Sequence, residues 1–165
     1  MSRPQQQVAL RPFLLDDAAL LAEIYRASIE ELTSDDYSEA QRQAWASQAD
    51  YEEFGTLLSG QLTLLGTVDG APVAFASLKD NEQVEMLYVH PAVARQGVAT
   101  TLLQALEKLA GARGANRLRA DVSDSAYNFF KRRGFVAQRR NSVPIAGEWL
   151  ANTTMEKRLI TKDST

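Results

Sequence analysis

Residues 84–112 read VEMLYVHPAVARQGVATTLLQALEKLAGA, and the turn at their centre, Arg95-Gln96-Gly97-Val98-Ala99, is suited to holding a pyrophosphate. N–H groups at a helix start lack intrahelical partners and sit at the positive end of the helix dipole. Gly97 has no side chain to keep a phosphate off the main chain. A lone glycine also occurs in ordinary strand-to-helix connections, so the turn by itself leaves that plainer reading standing. Other chemistry is narrowed by what is missing. The chain has no cysteine, which excludes disulfides, thiolate metal sites and a thiol nucleophile. Its single histidine, His90, argues against a His-based metal cluster and against a Ser-His-Asp triad.

The elements that must position this turn follow from periodicity. Val84 to Val89 is a strand rich in β-branched and aromatic residues, stopped by Pro91, which removes a ladder donor. Val98, Leu102, Leu103, Leu106 and Leu109 then recur at helical spacing. Upstream, Val8 to Pro12 reads as a first strand, and Asp16 caps a helix with Leu21, Ile24, Tyr25, Ile29 and Leu32 on one face. Ser38 and Gln41 form a capping box for a second helix, which carries Trp45. Gln61 to Val68 and Val73 to Leu78 read as strands joined by an Asp69-Gly70 hairpin turn, with Ala71-Pro72 lengthening the loop. Downstream, 116–122 reads as a strand and 123–135 as a helix that Ser123 or Asp124 caps and Gly134 ends. Glu148 to Lys157 is the final strand. The order β-α-α-β-β-β-α-β-α-β-β predicts a mixed α/β sheet, and no repeat or linker divides it. A chain of 165 residues can bury a core as one domain without staples.

Val89-His90-Pro91 followed by Ala94-Arg95-Gln96-Gly97-Val98-Ala99 resembles the hallmark of the GNAT superfamily of acetyl-CoA-dependent N-acetyltransferases. There a strand ending near V-x-P leads into Q/R-x-x-G-x-G/A at a helix N-terminus. Ala94 stands where the family has Gln or Arg, a departure that main-chain phosphate contacts tolerate. A second segment, Ser123 to Phe135, resembles the family's N-x-x-A-x-x-F-Y-x-x-x-G-F, with Ala126, Phe129, Gly134 and Phe135 in register. Ser123 replaces Asn there, and Phe130 replaces Tyr. The end of the chain resembles the L-x-N-x-x-M-x-K ending of one bacterial branch, as does the segment 36–45. The resemblance spans roughly residues 8–159. It implies the GNAT fold, a mixed and mostly antiparallel sheet of about seven strands flanked by about four helices, forming a single N-acetyltransferase domain over 1–165.

The resemblance also implies a site. Acetyl-CoA is the co-substrate, with no metal, held by Leu87, Tyr88 and Val89 on the strand, by Arg95, Gln96, Gly97, Val98, Ala99 and Thr100 at the turn, and by Ser123, Phe129 and Phe130 opposite. An alkyl ammonium titrates near 10.4, so an attacking amine must first give up a proton. Glu85 is the candidate base, because strand alternation puts Glu85, Leu87 and Val89 on one face and Val89 sits where the family's strand bonds the pantetheine arm. An ion pair with a neighbouring strand is the competing reading of Glu85. Phe130 removes the tyrosine that in many members protonates the leaving thiolate. Tyr127, Tyr88 or solvent can take over, although both tyrosines also read as core. A backbone N–H near Val89 would polarise the carbonyl. Tyr37, Trp45 and Asn152 are candidates for the acceptor pocket, where an aromatic face favours an ammonium. The Arg132-Arg133 pair reads as surface.

Charge is segregated beneath a net value of −3. From Asp16 to Glu53 the acids are opposed only by Arg26 and Arg42, while 113–140 is strongly basic. An acidic lid would attract a cationic amine and a basic flank would suit coenzyme phosphates. Solvated helix faces explain the same pattern. The expected partner is a small-molecule amine or a peptide acceptor, the latter through a protein N-terminus or a lysine. Nucleic acid is a poor partner for an acidic chain. No apolar run approaches the roughly 18 residues of a membrane span, and the N-terminal residues lack a signal h-region, so the cytoplasm is the expected location. Pairing into a homodimer through the C-terminal strands is common in the family, and the sequence leaves it open. The alternative from another class is a non-catalytic acyl-CoA-binding sensor or interaction module, which Phe130 favours and Glu85 opposes.

Overall fold

Strand-period and helix-period segments assemble, in a computed structural model describing residues 7–50 and 52–159, around one seven-stranded sheet. Its strands are β1 Ala9–Pro12, β2 Leu62–Val68, β3 Ala71–Lys79, β4 Gln83–Val89, β5 Arg117–Ser123, β6 Val136–Ile145 and β7 Glu148–Arg158. They lie in the order β1-β2-β3-β4-β5-β7-β6. Only β4 and β5 run parallel. The helices are α1 Ala18–Leu32, α2 Glu39–Ala46, α3 Glu53–Ser59, α4 Val98–Ala112 and α5 Tyr127–Arg132.

Two hydrophobic layers sandwich the sheet. On one face Leu102, Leu103 and Leu106 of α4 pack with Val84, Leu118, Phe135 and Met155. On the other, Leu21, Ile24 and Ile29 of α1 and Phe54 and Leu58 of α3 cover Leu65 and Phe75. Each fully buried leucine contributes about 2 kcal/mol of transfer free energy.

Several local expectations need correction. Helix α3 is additional to the four read from sequence; it is short and contains Gly55, where an added Cβ would lie 3.2 Å from that of Ala18. Asp17, not Asp16, secures the entry to α1, accepting the Leu14 N–H at 2.9 Å and pairing with Arg11. The β2–β3 turn is only Asp69-Gly70, with φ of 53° and 84°; Ala71 and Pro72 belong to β3, and Pro72 sits opposite Thr67 at a bulge. Helix α5 starts at Tyr127, because the Ser123 hydroxyl accepts the Ala126 N–H at 3.2 Å and holds a separate turn ahead of it. The Ser38–Gln41 capping box forms in both directions, at 2.8 and 3.1 Å.

Strand β4 departs from regular alternation. Val84 pairs with Leu78 and Met86 with Ser77, so Glu85 is the unpaired residue of a β-bulge. The extra residue shifts the side-chain phase. Leu87 and Val89 pack toward the α4 layer while Met86 and Tyr88 pack toward the α1 layer. Simple alternation, which put Glu85 on one face with Leu87 and Val89, therefore fails.

Candidate active site

Strands β4 and β5 pair only at Gln83–Arg119 and Val84–Ala120. Beyond those rungs they diverge, leaving a cavity of about 220 Å³ between Glu85, Leu87, Tyr88 and Val89 on one strand and Asp121 and Ser123 on the other. Phe129 and Phe130 close it from α5. Because the His90 N–H donates to the Val73 carbonyl at 2.8 Å, ladder alternation turns the N–H and C=O groups of Leu87 and Val89 away from β3 and toward the opening. That exposed edge can pair with an extended, amide-bearing arm as if it were a further strand.

At the end of this edge the His90 imidazole accepts the Ala92 N–H at 3.0 Å, fixing a short turn. Arg95 and Gly97 then take left-handed conformations, φ 65° and 85°. No side chain caps α4, and its first backbone bond runs from Thr101 N–H to the Gly97 carbonyl at 3.1 Å. The N–H groups of Val98, Ala99 and Thr100 are thereby left for an anion, with the exposed Arg95 and Gln96 beside them.

Arg133, expected at the surface, is instead tied to the first turn of α4. Its Nε donates to the Thr100 hydroxyl at 3.0 Å, its Nη1 donates to the Phe129 carbonyl at 3.1 Å, and the guanidinium stacks 3.8 Å over the Phe129 ring. A fixed cation thus stands on the first turn of α4. The available signal was the spacing of Phe129 and Arg133, four apart on one helical face.

Trp45 and Tyr88 border the 220 Å³ cavity and two others, of about 570 and 140 Å³. The larger adds Tyr25, Gln48, Glu53, Phe54 and Leu57, and Glu85 lies where it meets the cleft. The smaller adds Tyr37, Val143, Leu150 and Asn152, with Asp121 and Ser123 shared with the cleft. Burial pushes the Tyr88 phenol up to about 12; donors from Trp45 and Tyr25 oppose the shift and the Glu85 charge adds to it. Tyr37 lines the small cavity, but its hydroxyl is committed to structure, donating to the Ala151 carbonyl at 2.5 Å and accepting the Asp124 N–H at 2.9 Å. Asn152 accepts from Asn141 at 2.9 Å. Tyr127 packs against the α4 layer and lines none of these three cavities. Phe130 is buried against Phe135, at 5.0 Å between ring centroids.

The acidic run from Asp16 to Glu53 contributes only Glu53 to these walls. Glu23, Glu30, Glu31, Asp35 and Asp36 are exposed, and Asp50 pairs with Arg26 at 2.9 Å. Solvated helix faces account for most of it. Among the described residues no group of three or more His, Cys, Asp or Glu is arranged to hold a metal ion, and no helix is long and apolar enough to cross a membrane.

Comparison with known proteins agrees with this geometry. The family model described as Acetyltransferase (GNAT) domain matches residues 33–159. An uncharacterized N-acetyltransferase, YafP, of Escherichia coli strain K12 is 30% identical over 148 residues, covering 90% of this chain and 94% of its own. The crystal structure of a GCN5-related N-acetyltransferase from Rhodopseudomonas palustris superposes with a TM-score of 0.93 at 58% identity, covering 96% of this chain and 100% of its own. The PaiA N-acetyltransferase of Thermoplasma acidophilum, solved in complex with coenzyme A, has the same fold at 20% identity, with a TM-score of 0.76 over 92% of this chain and 99% of its own.

Proposed function

The chain belongs to the GNAT acetyltransferase family and is an acetyl-CoA-dependent N-acetyltransferase; from that premise we propose that it acetylates a primary amine, a cationic small molecule, by direct attack in a ternary complex. The observation that carries this reading is the position of Glu85. It sits at the junction of the β4–β5 cleft and the larger aromatic cavity, and among the described residues it has no basic partner.

When bound, acetyl-CoA supplies a thioester whose carbonyl carbon accepts attack. The edge of Leu87, Tyr88 and Val89 holds the coenzyme arm against Ser123, Phe129 and Phe130. The N–H groups of Val98, Ala99 and Thr100, with Arg95, Gln96, Gly97 and Arg133, hold its phosphates. The acceptor lies against Trp45, with Tyr37 and Asn152 shaping the smaller lobe. As the amine nitrogen forms the C–N bond, the C–S bond breaks and sulfur leaves with the electron pair as thiolate. The nitrogen's proton passes to Glu85, directly or through a water. The Val89 N–H polarises the carbonyl oxygen. A phenol at about 12 is a weaker acid than a thiol near 8.5, so Tyr88 steadies the sulfur by hydrogen bonding and solvent returns the proton. We read residues 8–159 as one such domain, acting in the cytoplasm where acetyl-CoA is available.

The test is release of coenzyme A thiol from acetyl-CoA across polyamines, amino acids, aminoglycosides and peptides. The protein has no cysteine and adds no thiol background. Glu85→Gln should lower kcat by about 100-fold or more. Turnover confined to peptide N-termini or lysines would replace the small-molecule acceptor. Acetyl-CoA binding without thiol release from any acceptor would overturn the reading.

A further inference from the structure

Two carboxylates face the reaction cleft. Directly past the last β4–β5 rung, Val84–Ala120, come Glu85 on one diverging strand and Asp121 on the other. Both line the 220 Å³ cavity. Leu118, Ala120 and Val122 are buried in the α4 layer, so Asp121 faces the opposite side of the sheet, toward Trp45 and Tyr88.

Asp121 is held in place by neighbours on the same face. The Thr154 hydroxyl donates to its Oδ1 at 2.6 Å, and Asn141 Nδ2 donates to Thr154 Oγ1 at 2.8 Å. Its Oδ2 has no donor among the described residues. Arg119 faces the same side two residues earlier, yet among the described residues neither Glu85 nor Asp121 takes part in an ion pair. A monoamine cannot balance both charges, because the attacking nitrogen must be neutral when it attacks. A second ammonium, kept charged throughout the reaction, can.

We propose that Asp121 is a specificity-determining residue that binds the distal ammonium of a diamine while Glu85 takes the proton from its attacking nitrogen, an inference that rests on the small-amine reading above. Trp45 and Tyr88 line the same cavity as the two carboxylates, and aromatic faces suit a cation. Neighbouring strands begin about 4.8 Å apart and these two widen, a span that suits nitrogens separated by roughly three to five carbons.

The experiment compares kcat/KM for 1,4-diaminobutane and butylamine, by thiol release, in wild type, Asp121→Asn, Asp121→Glu and Glu85→Gln. Wild type should prefer the diamine by roughly tenfold or more. Asp121→Asn should bring the ratio near one through the diamine KM, Asp121→Glu should restore part of it, and Glu85→Gln should lower kcat for both amines. A folding defect scales both amines alike and leaves the ratio unmoved. Equal kcat/KM for the two amines in wild type overturns the proposal, as does an Asp121→Asn loss that falls equally on both or acts through kcat. Absence of release from every amine overturns the small-amine reading as well, whereas release without discrimination overturns only the role of Asp121.

Discussion

The Trp45 indole donates its N–H to the Tyr88 hydroxyl at 3.3 Å, tying α2 to β4 where the three cavities meet. That bond works against burial, which still carries the phenol to about 12. Tyr88 therefore stays protonated through the working range. Tyr88→Phe should lower kcat by less than about tenfold and leave the pH–rate profile unchanged in shape between about pH 6 and 10, since no proton of Tyr88 is transferred.

The same phenol makes the fold sensitive to alkali. Unfolded, Tyr88 ionises near 10.0; folded, it holds its proton to about 12. Between those values the unfolded chain releases a proton that the folded chain keeps, so stability present below pH 10.0 is lost as pH rises through the window. Tyr25, also raised by burial, acts in the same direction. Thermal melts at pH 9 and 11 should show a smaller alkaline drop for Tyr88→Phe than for wild type, the Tyr25 share remaining.

Arg133 acts through a planar fork, with Thr100 and the Phe129 carbonyl as acceptors and the Phe129 ring as a stacking face. Arg133→Ala should raise the acetyl-CoA KM about tenfold with kcat little changed, and Arg133→Lys should fail to restore it. Steady-state kinetics with varied acetyl-CoA decides this; an effect confined to kcat would count against a role in phosphate binding.

Gly97 has φ 85°, and a Cβ added there would meet nothing within 4 Å. Gly97→Ala is therefore strained without being crowded, and should cost about 1 kcal/mol in urea unfolding. A new methyl in that open turn would also stand between the α4 N–H groups and a phosphate. Acetyl-CoA binding, measured calorimetrically, should weaken by more than the stability loss accounts for.

Arg11 and Asp17 meet at 2.9 Å through both terminal guanidinium nitrogens, and this hydrogen bonding holds the Asp17 carboxyl below its ordinary 3.8. The pair stabilises the fold above that value, and its contribution is lost as pH falls through the lower folded one. Asp17→Asn should reduce stability at pH 7 by at most about 1 kcal/mol, since Arg11 is partly solvated, and the difference from wild type should shrink in acid unfolding as the Asp17 carboxylate takes up its proton below 3.8.

Much of this architecture was readable from local rules. Pro91, the left-handed Gly97 and the leucine spacing of α4 lie within one contiguous stretch, where each residue's own preference agrees with the fold. Ser38 and Gln41 likewise carry their reason in their spacing. Glu85 shows where such reading stops. Its place in the cleft depends on a bulge created by how Val84 and Met86 pair with Leu78 and Ser77, and nothing in β4 alone announces the phase shift. The place of Arg133 depends on Thr100, which lies on another helix, and α3 is a run of only seven residues with the weak helix former Gly55 inside it, too short to announce itself. The carboxylate at Asp121 gains its meaning from the strand beside it.

The seam between β4 and β5 has a mechanical consequence. Four strands stand on one side and three on the other, stitched by two register pairs. A zip fastener closed only at its base opens from its free end, so amides of Leu87 and Val89 should exchange with solvent far sooner than those of the β2–β3 ladder. An arm that fills the gap adds rungs to the seam, making substrate occupancy itself a source of rigidity, with a melting temperature that climbs with ligand concentration.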